Sequence, residues 1–174
     1  MSSHPTAETI ESLGCSIVLR RVEGPEAREL YFHCQPPPET AEAGRQAEAI
    51  YHAIFRVLES EGGSFGSVVT ETVFLRKLQA SVASVRDARH RVLAAHGVAA
   101  HRPATTEIEL PPLDERACLE VSVQAVVRTG SSFQFEPVAA AAACGCGESA
   151  QAHGLRFLFP HAGQPCLLFL FTKD

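Results

Sequence analysis

From Leu119 to Val127 apolar and polar residues alternate almost without a break. Leu119, Val121, Val123, Ala125 and Val127 fall on one face, and Glu120, Ser122 and Gln124 on the other. A period of two belongs to a strand buried on one side only. The chain must therefore build a sheet with one packed face and one polar face. A second period says what packs on it. Ala47, Ile50, Ile54 and Val57/Leu58 recur at helical spacing, with Arg45, Glu48, His52, Arg56 and Glu59 largely opposite. This stripe predicts a long helix capped by Thr40 and stopped by Gly62-Gly63.

The remaining elements follow from composition and punctuation. Cys15–Val22 and Leu30–Cys34 read as strands joined across Gly24-Pro25, and Pro36-Pro37-Pro38 ends the second. Val68–Leu75 is a third strand, rich in Val, Thr and Phe. Ser81–His96 carries Val82, Val85 and Val92/Leu93 on one helical face, with Gly97 as its stop. Thr105–Leu110 alternates, with Thr105, Glu107 and Glu109 on one side, and Pro111-Pro112 breaks it. The order through Val127 is ββαβαββ, which predicts an α+β domain: a mixed sheet with two helices on one face and the other face left for a second subunit. The expected organisation is a flexible N-terminal arm over 1–14, the domain over 15–128 and an extension over 129–174. In that extension Val138–Ala143 reads as a short helix, and Leu155–Phe159 and Cys166–Phe171 as the strands of a β-hairpin.

Composition narrows the functional classes. Of 174 residues 45% are hydrophobic, enough for a core, and the formal net charge is −5. Phosphate binding needs a concentrated basic face, and no run of Lys and Arg exists, so no nucleic-acid partner is expected. No apolar stretch reaches membrane-spanning length, and Met1–Thr9 lacks the apolar segment of a signal peptide. The expectation is a cytoplasmic protein without a membrane partner, whose six cysteines are reduced thiols.

Five segments then resemble, in order, the Rid (YjgF-like, reactive-intermediate deaminase) family. Tyr31-Phe-His-Cys-Gln is similar to the strand ending in the family's Ser-Gly-Gln, and Gln46 to Gly62 to its first helix. Val68-Val-Thr-Glu-Thr-Val-Phe-Leu resembles its Val-Val-x-x-Thr-Val-Phe-Leu strand. Arg102-Pro-Ala-Thr-Thr-Glu-Ile-Glu-Leu-Pro and Val121-Ser-Val-Gln-Ala-Val-Val resemble its last two strands. The resemblance spans roughly Cys15 to Val127. It implies a chorismate-mutase-like/YjgF-like sheet, a homotrimer with a central barrel, and ligand clefts between subunits. It also implies hydrolysis of 2-imino acids without a cofactor or metal.

The residues that resemblance makes functional are exchanged here. The family's Arg after Pro-Ala, which grips the substrate carboxylate with two donors, aligns with Thr105. Losing such a desolvated contact costs about 2–5 kcal/mol. The two Glu of the terminal strand align with Ser122 and Gln124, neither of which is a carboxylate base, and Ser-Gly aligns with His33-Cys34. Gly24-Pro25-Glu26 stands where the family has Gly-Pro-Tyr. The candidate ligand-binding set is His33, Cys34, Gln35, Arg102, Thr105, Glu107, Ser122 and Gln124, with Arg102 a substitute cation or a solvated residue. Two functions remain open. One is a trimer binding a small polar or anionic metabolite with deaminase activity absent. The other is an enzyme, a hydrolase or lyase (deaminase-like or chorismatase-like), acting on a small carboxylate in a remodelled cleft.

Other groupings are weaker. Adjacent strand residues point to opposite faces, so His33 and Cys34 cannot form a thiolate–imidazole pair together. Cys144, Cys146, His153, His161 and Cys166 match metal ligands by type but not by zinc-site spacing. Glu107 and Glu109 read as an acid–base pair or as a solvated sheet edge. Gly62-Gly63-x-x-Gly66 lacks the Lys of a phosphate loop and follows a helix.

Overall fold

A computed structural model describes residues 7–99, 103–130, 149–152 and 155–158. The expected short helix at 138–143, the second tail strand at 166–171 and the Cys/His grouping of the extension lie outside these residues.

Six strands form one sheet in the order β1-β2-β3-β6-β4-β5: β1 (Ala7–Ser12), β2 (Cys15–Glu23), β3 (Ala27–Gln35), β4 (Val68–Leu75), β5 (Ala104–Glu109) and β6 (Leu119–Arg128). Only β4 and β5 run parallel, joined by a crossover through a helix; the other pairings are antiparallel. The helices α1 (Ala43–Ser60) and α2 (Leu78–Ala95) lie together on one face, α1 against β1, β2, β3 and β6 and α2 against β4 and β5. Ile17 and Leu19 of β2, Leu30 and Phe32 of β3 and the odd-numbered residues of β6 from Leu119 to Val127 meet Ile50, Ile54 and Leu58 of α1 in one core. The mixed sheet with two helices on one face is as the periodicities predicted. In the extension β7 (Ser149–Ala152) pairs antiparallel with β8 (Leu155–Leu158), so the strand expected at Leu155 finds its partner upstream of it.

The arm expected over 1–14 is in part a strand. β1 pairs with β2 residue for residue, from Ala7↔Arg20 to Ser12↔Cys15. The connecting residues Leu13 and Gly14 both take positive φ, 53° and 76°, the twist that a two-residue hairpin turn requires. Leu13 is a poor left-handed residue, which is why Leu-Gly does not announce a turn in the sequence. The cap of α1 is also displaced. Glu42, not Thr40, occupies the N-cap, and no side chain caps it. Gln46 instead ties the helix start down: its amide donates to the Thr40 carbonyl, and its carbonyl accepts from the Cys118 N–H at 2.7 Å.

Candidate functional site

The register of the central strands decides which side chains share a face. β3 pairs with β6 so that His33 lies opposite Ser122 and Tyr31 opposite Gln124, and β4 pairs so that Thr72 lies opposite Ser122 on the other side. These residues, with Val18, Arg20 and Val22 of β2 and Phe74 of β4, point away from the helices. No element among the described residues covers this face: Val18 and Val22 are each 42% exposed and Tyr31 39%. A hollow of about 450 Å³ opens on it, lined by Val18, Arg20, Val22, Tyr31 and His33.

A polar ladder crosses the same face. His33 Nδ1 lies 3.0 Å from Ser122 Oγ, and His33 Nε2 lies 3.3 Å from Glu120 Oε2. The Gln35 amide donates to Glu120 Oε1 at 3.2 Å, and the Gln124 amide donates to the Tyr31 hydroxyl at 3.3 Å. Glu120 is only 5% exposed, so its carboxylate is held against these partners rather than in water. The Phe74 ring meets the His33 imidazole edge-on, with centroids 6.4 Å apart. Burial, with the Glu29 carboxylate bonded to it, pushes the Tyr31 phenol up to about 12, so it stays protonated.

Of the predicted set, His33, Gln35, Ser122 and Gln124 come together on this face. Cys34 does not. It sits in the core on the opposite side, and burial, with Cys15 nearby, pushes its thiol up, so it is a packing residue within the subunit. Thr105 and Glu107 lie on the helix side of β5, because Thr105 pairs with Glu71 and Glu107 with Val73. Thr105 donates to Glu71 Oε1 at 2.9 Å, and Arg86 of α2 forks onto the Glu107 carboxylate. Glu109 accepts from the Leu78 N–H and so caps α2, which accounts for both carboxylates without acid–base work. Arg102 lies outside the described residues. The residue that sequence reasoning passed over is Glu120. The alternation places it on the polar face, but only the β3–β6 register brings His33 to it.

Beneath Thr105 lies a buried ion pair. Arg89 Nε stands 2.6 Å from Glu71 Oε1, and Glu71 is fully enclosed. Burial, the largest single influence, would lower the guanidinium's pKa, but the Glu71 charge and the Tyr51 hydroxyl together leave it raised. The guanidinium also lies 5.8 Å from the centre of the Tyr51 ring and 5.7 Å from that of Phe65. No group of three or more metal-ligating side chains exists among the described residues.

A mixed sheet in the order β1-β2-β3-β6-β4-β5, with two helices on one face, is the YjgF-type fold. The solved structures that share it include the YjgF gene product of E. coli (21% identity, TM-score 0.50, covering 61% of this chain and 84% of that one). They include E. coli TdcF with bound serine (19%, TM-score 0.52, 63% and 86%) and the yeast protein YEO7 (19%, TM-score 0.51, 63% and 85%). No protein-family model matches the chain, and no curated protein matches it by sequence. No helix among the described residues is long and apolar enough to cross a membrane.

Proposed function

We propose that the chain is a divergent Rid-family protein that forms a homotrimer in the cytoplasm, with its Rid-like domain over 15–128 extended by β1. Its subunits hold a small polar or anionic metabolite between them, without the family's imine deaminase activity. The observation that carries this reading is the uncovered sheet face, where Val18, Val22 and Tyr31 stand exposed around a hollow that also contains Arg20 and His33. Apolar side chains gathered on a sheet face favour cover by another subunit, and the mixture with polar groups favours a ligand held there. E. coli TdcF, which has this fold, binds serine, and that supports a small polar metabolite as the ligand class.

The ligand would meet His33, Gln35, Ser122 and Gln124, with Arg20 as the nearby cation and Glu120 behind them. Thr105 and Glu107 would reach it only from a neighbouring subunit. The absence of deaminase activity rests on Thr105, a neutral hydroxyl engaged with Glu71 where the family presents a guanidinium. A second reading, an enzyme working on a small carboxylate in this remodelled face, is favoured by the contacts among Ser122, His33 and Glu120.

Three measurements test the proposal. Sedimentation velocity should give a particle of three 18.7 kDa chains. Thermal unfolding should shift upward with millimolar serine or 2-oxobutyrate. Freshly generated 2-iminobutyrate should release ammonia at the uncatalysed rate. A monomer, no shift with any small carboxylate, or turnover at the rate of an active family member would each overturn the corresponding part.

A further inference from the structure

We propose that Ser122, His33 and Glu120 form a proton relay that makes Ser122 a nucleophile toward short-chain carboxylic esters. Nucleophilic hydrolysis needs a hydroxyl within hydrogen-bond reach of a base, and that base oriented by a third group. The serine meets the imidazole at hydrogen-bond distance, 3.0 Å from Ser122 Oγ to His33 Nδ1, and Glu120 makes a charge contact with the ring, 3.3 Å from His33 Nε2 to Oε2. The tautomer follows. A carboxylate only accepts, so Nε2 carries the proton toward Glu120 and Nδ1 turns its lone pair to the serine. Glu120 is held in turn by the Gln35 amide and is almost wholly enclosed. His33, by contrast, keeps 37% of its side chain exposed, so a substrate can reach the relay.

The step balances within these groups and water. Ser122 Oγ bonds to the ester carbonyl carbon while its proton passes to His33 Nδ1. The C–O bond to the alcohol then breaks, and the alcohol leaves with that proton. Water attacks the acyl-serine, giving one proton to His33, which returns it to Ser122 as the carboxylic acid departs. β6 is hydrogen-bonded on both sides, to β3 and to β4, so its backbone N–H groups are committed to the ladders. The developing oxyanion must therefore be met by a side chain. The Thr72 hydroxyl, which the register sets opposite Ser122 on β4, is the donor nearest in the pairing, since the Gln124 amide donates to Tyr31. The hollow beside His33, with Val18, Val22 and Arg20, suits a short acyl chain bearing an anionic end.

The inference uses the same open face as the proposed function but needs neither a trimer nor a metabolite. Incubation of the full-length protein with an alkyl fluorophosphonate, followed by peptide mass spectrometry, should place one adduct on Ser122. Ser122→Ala should remove that adduct, with circular dichroism unchanged. His33→Gln should slow labelling by at least about 100-fold, the lower end of what a positioned base contributes. Glu120→Gln should slow it similarly, because an amide donating to Nε2 forces the proton onto Nδ1 and points an N–H at the serine. No adduct on Ser122, or equal rates in wild type and His33→Gln, overturns the relay. The oligomeric state and ligand-induced thermal shift are read independently, so either proposal can fail alone.

Discussion

Glu71 and Arg89 show how strongly one buried pair constrains this chain. Glu71 is enclosed in a core position of β4, and Arg89 is its charge partner. Removing Arg89 alone leaves an uncompensated carboxylate in a low-dielectric interior. Arg89→Met is therefore expected to cost about 3–5 kcal/mol in urea denaturation, whereas Glu71→Leu combined with Arg89→Met should cost less than Arg89→Met by itself. Cys15 and Cys34 give a second expectation. Burial, with the Glu11 charge nearby, pushes the Cys15 thiol up to about 12, and burial raises Cys34 as well. Neither should react with a thiol reagent in the native protein at pH 8, and both should react in urea, as mapped by peptide mass spectrometry. Individual residues also mark how far the sequence could be read. Glu71 sits in a strand whose β-propensity is plain, yet nothing local pairs it with a helix residue. Glu120 lies on the face the alternation assigns, but its meaning comes from His33, which only the strand register delivers. The family likeness groups Thr105 and Glu107 with Ser122, but the pleat of β5 places them on the other side.

The C-terminal ends of the helices are far more legible, because their glycine stops are local chemistry. α1 closes with the Gly62 N–H on the Glu59 carbonyl at 3.1 Å and the Gly63 N–H on the Leu58 carbonyl at 2.8 Å. The two glycines do different work. Gly62 takes φ +79° with nothing near its missing Cβ, so Gly62→Ala should cost about 1–2 kcal/mol through backbone conformation alone. A Cβ on Gly63 would come within 2.8 Å of the Val127 side chain, so there the constraint is steric. Glu61, the C-cap residue of α1, ties the helix to the sheet by accepting from Arg21 of β2 and Arg28 of β3. Those guanidinium hydrogen bonds, Arg21 first, hold the Glu61 carboxyl below its ordinary value. A depressed folded-state pKa means the stabilisation is complete above the unfolded carboxylate range, about 4.3, and is lost as the pH falls through the lower folded value. Glu61→Gln should thus lose on the order of 1 kcal/mol at pH 7, both arginines being part-exposed, and the loss should shrink as the pH is lowered below 4. β1 escaped notice for the opposite reason. Its residues are mostly exposed and its turn is Leu-Gly, so neither burial pattern nor turn chemistry marks it.

The whole molecule sorts its chemistry by sheet face. The helix side carries the core and the Glu71–Arg89 pair; the other side carries Val18, Val22 and Tyr31 beside the ladder from Gln35 to Ser122. A single domain that leaves such a face uncovered gains stability by joining copies, since each exposed valine or tyrosine buried there is worth roughly 25 cal/mol per Å². A charge placed among those side chains should oppose that burial without touching the core, because Val18 points away from the helices while its neighbours Ile17 and Leu19 point into them. Val18→Glu is accordingly expected to convert the proposed trimer to monomers in sedimentation velocity while leaving the far-ultraviolet circular dichroism unchanged. An intact assembly in that variant would mean that copies meet through some other surface. The ladder around His33 would then be an open site reached directly from solvent.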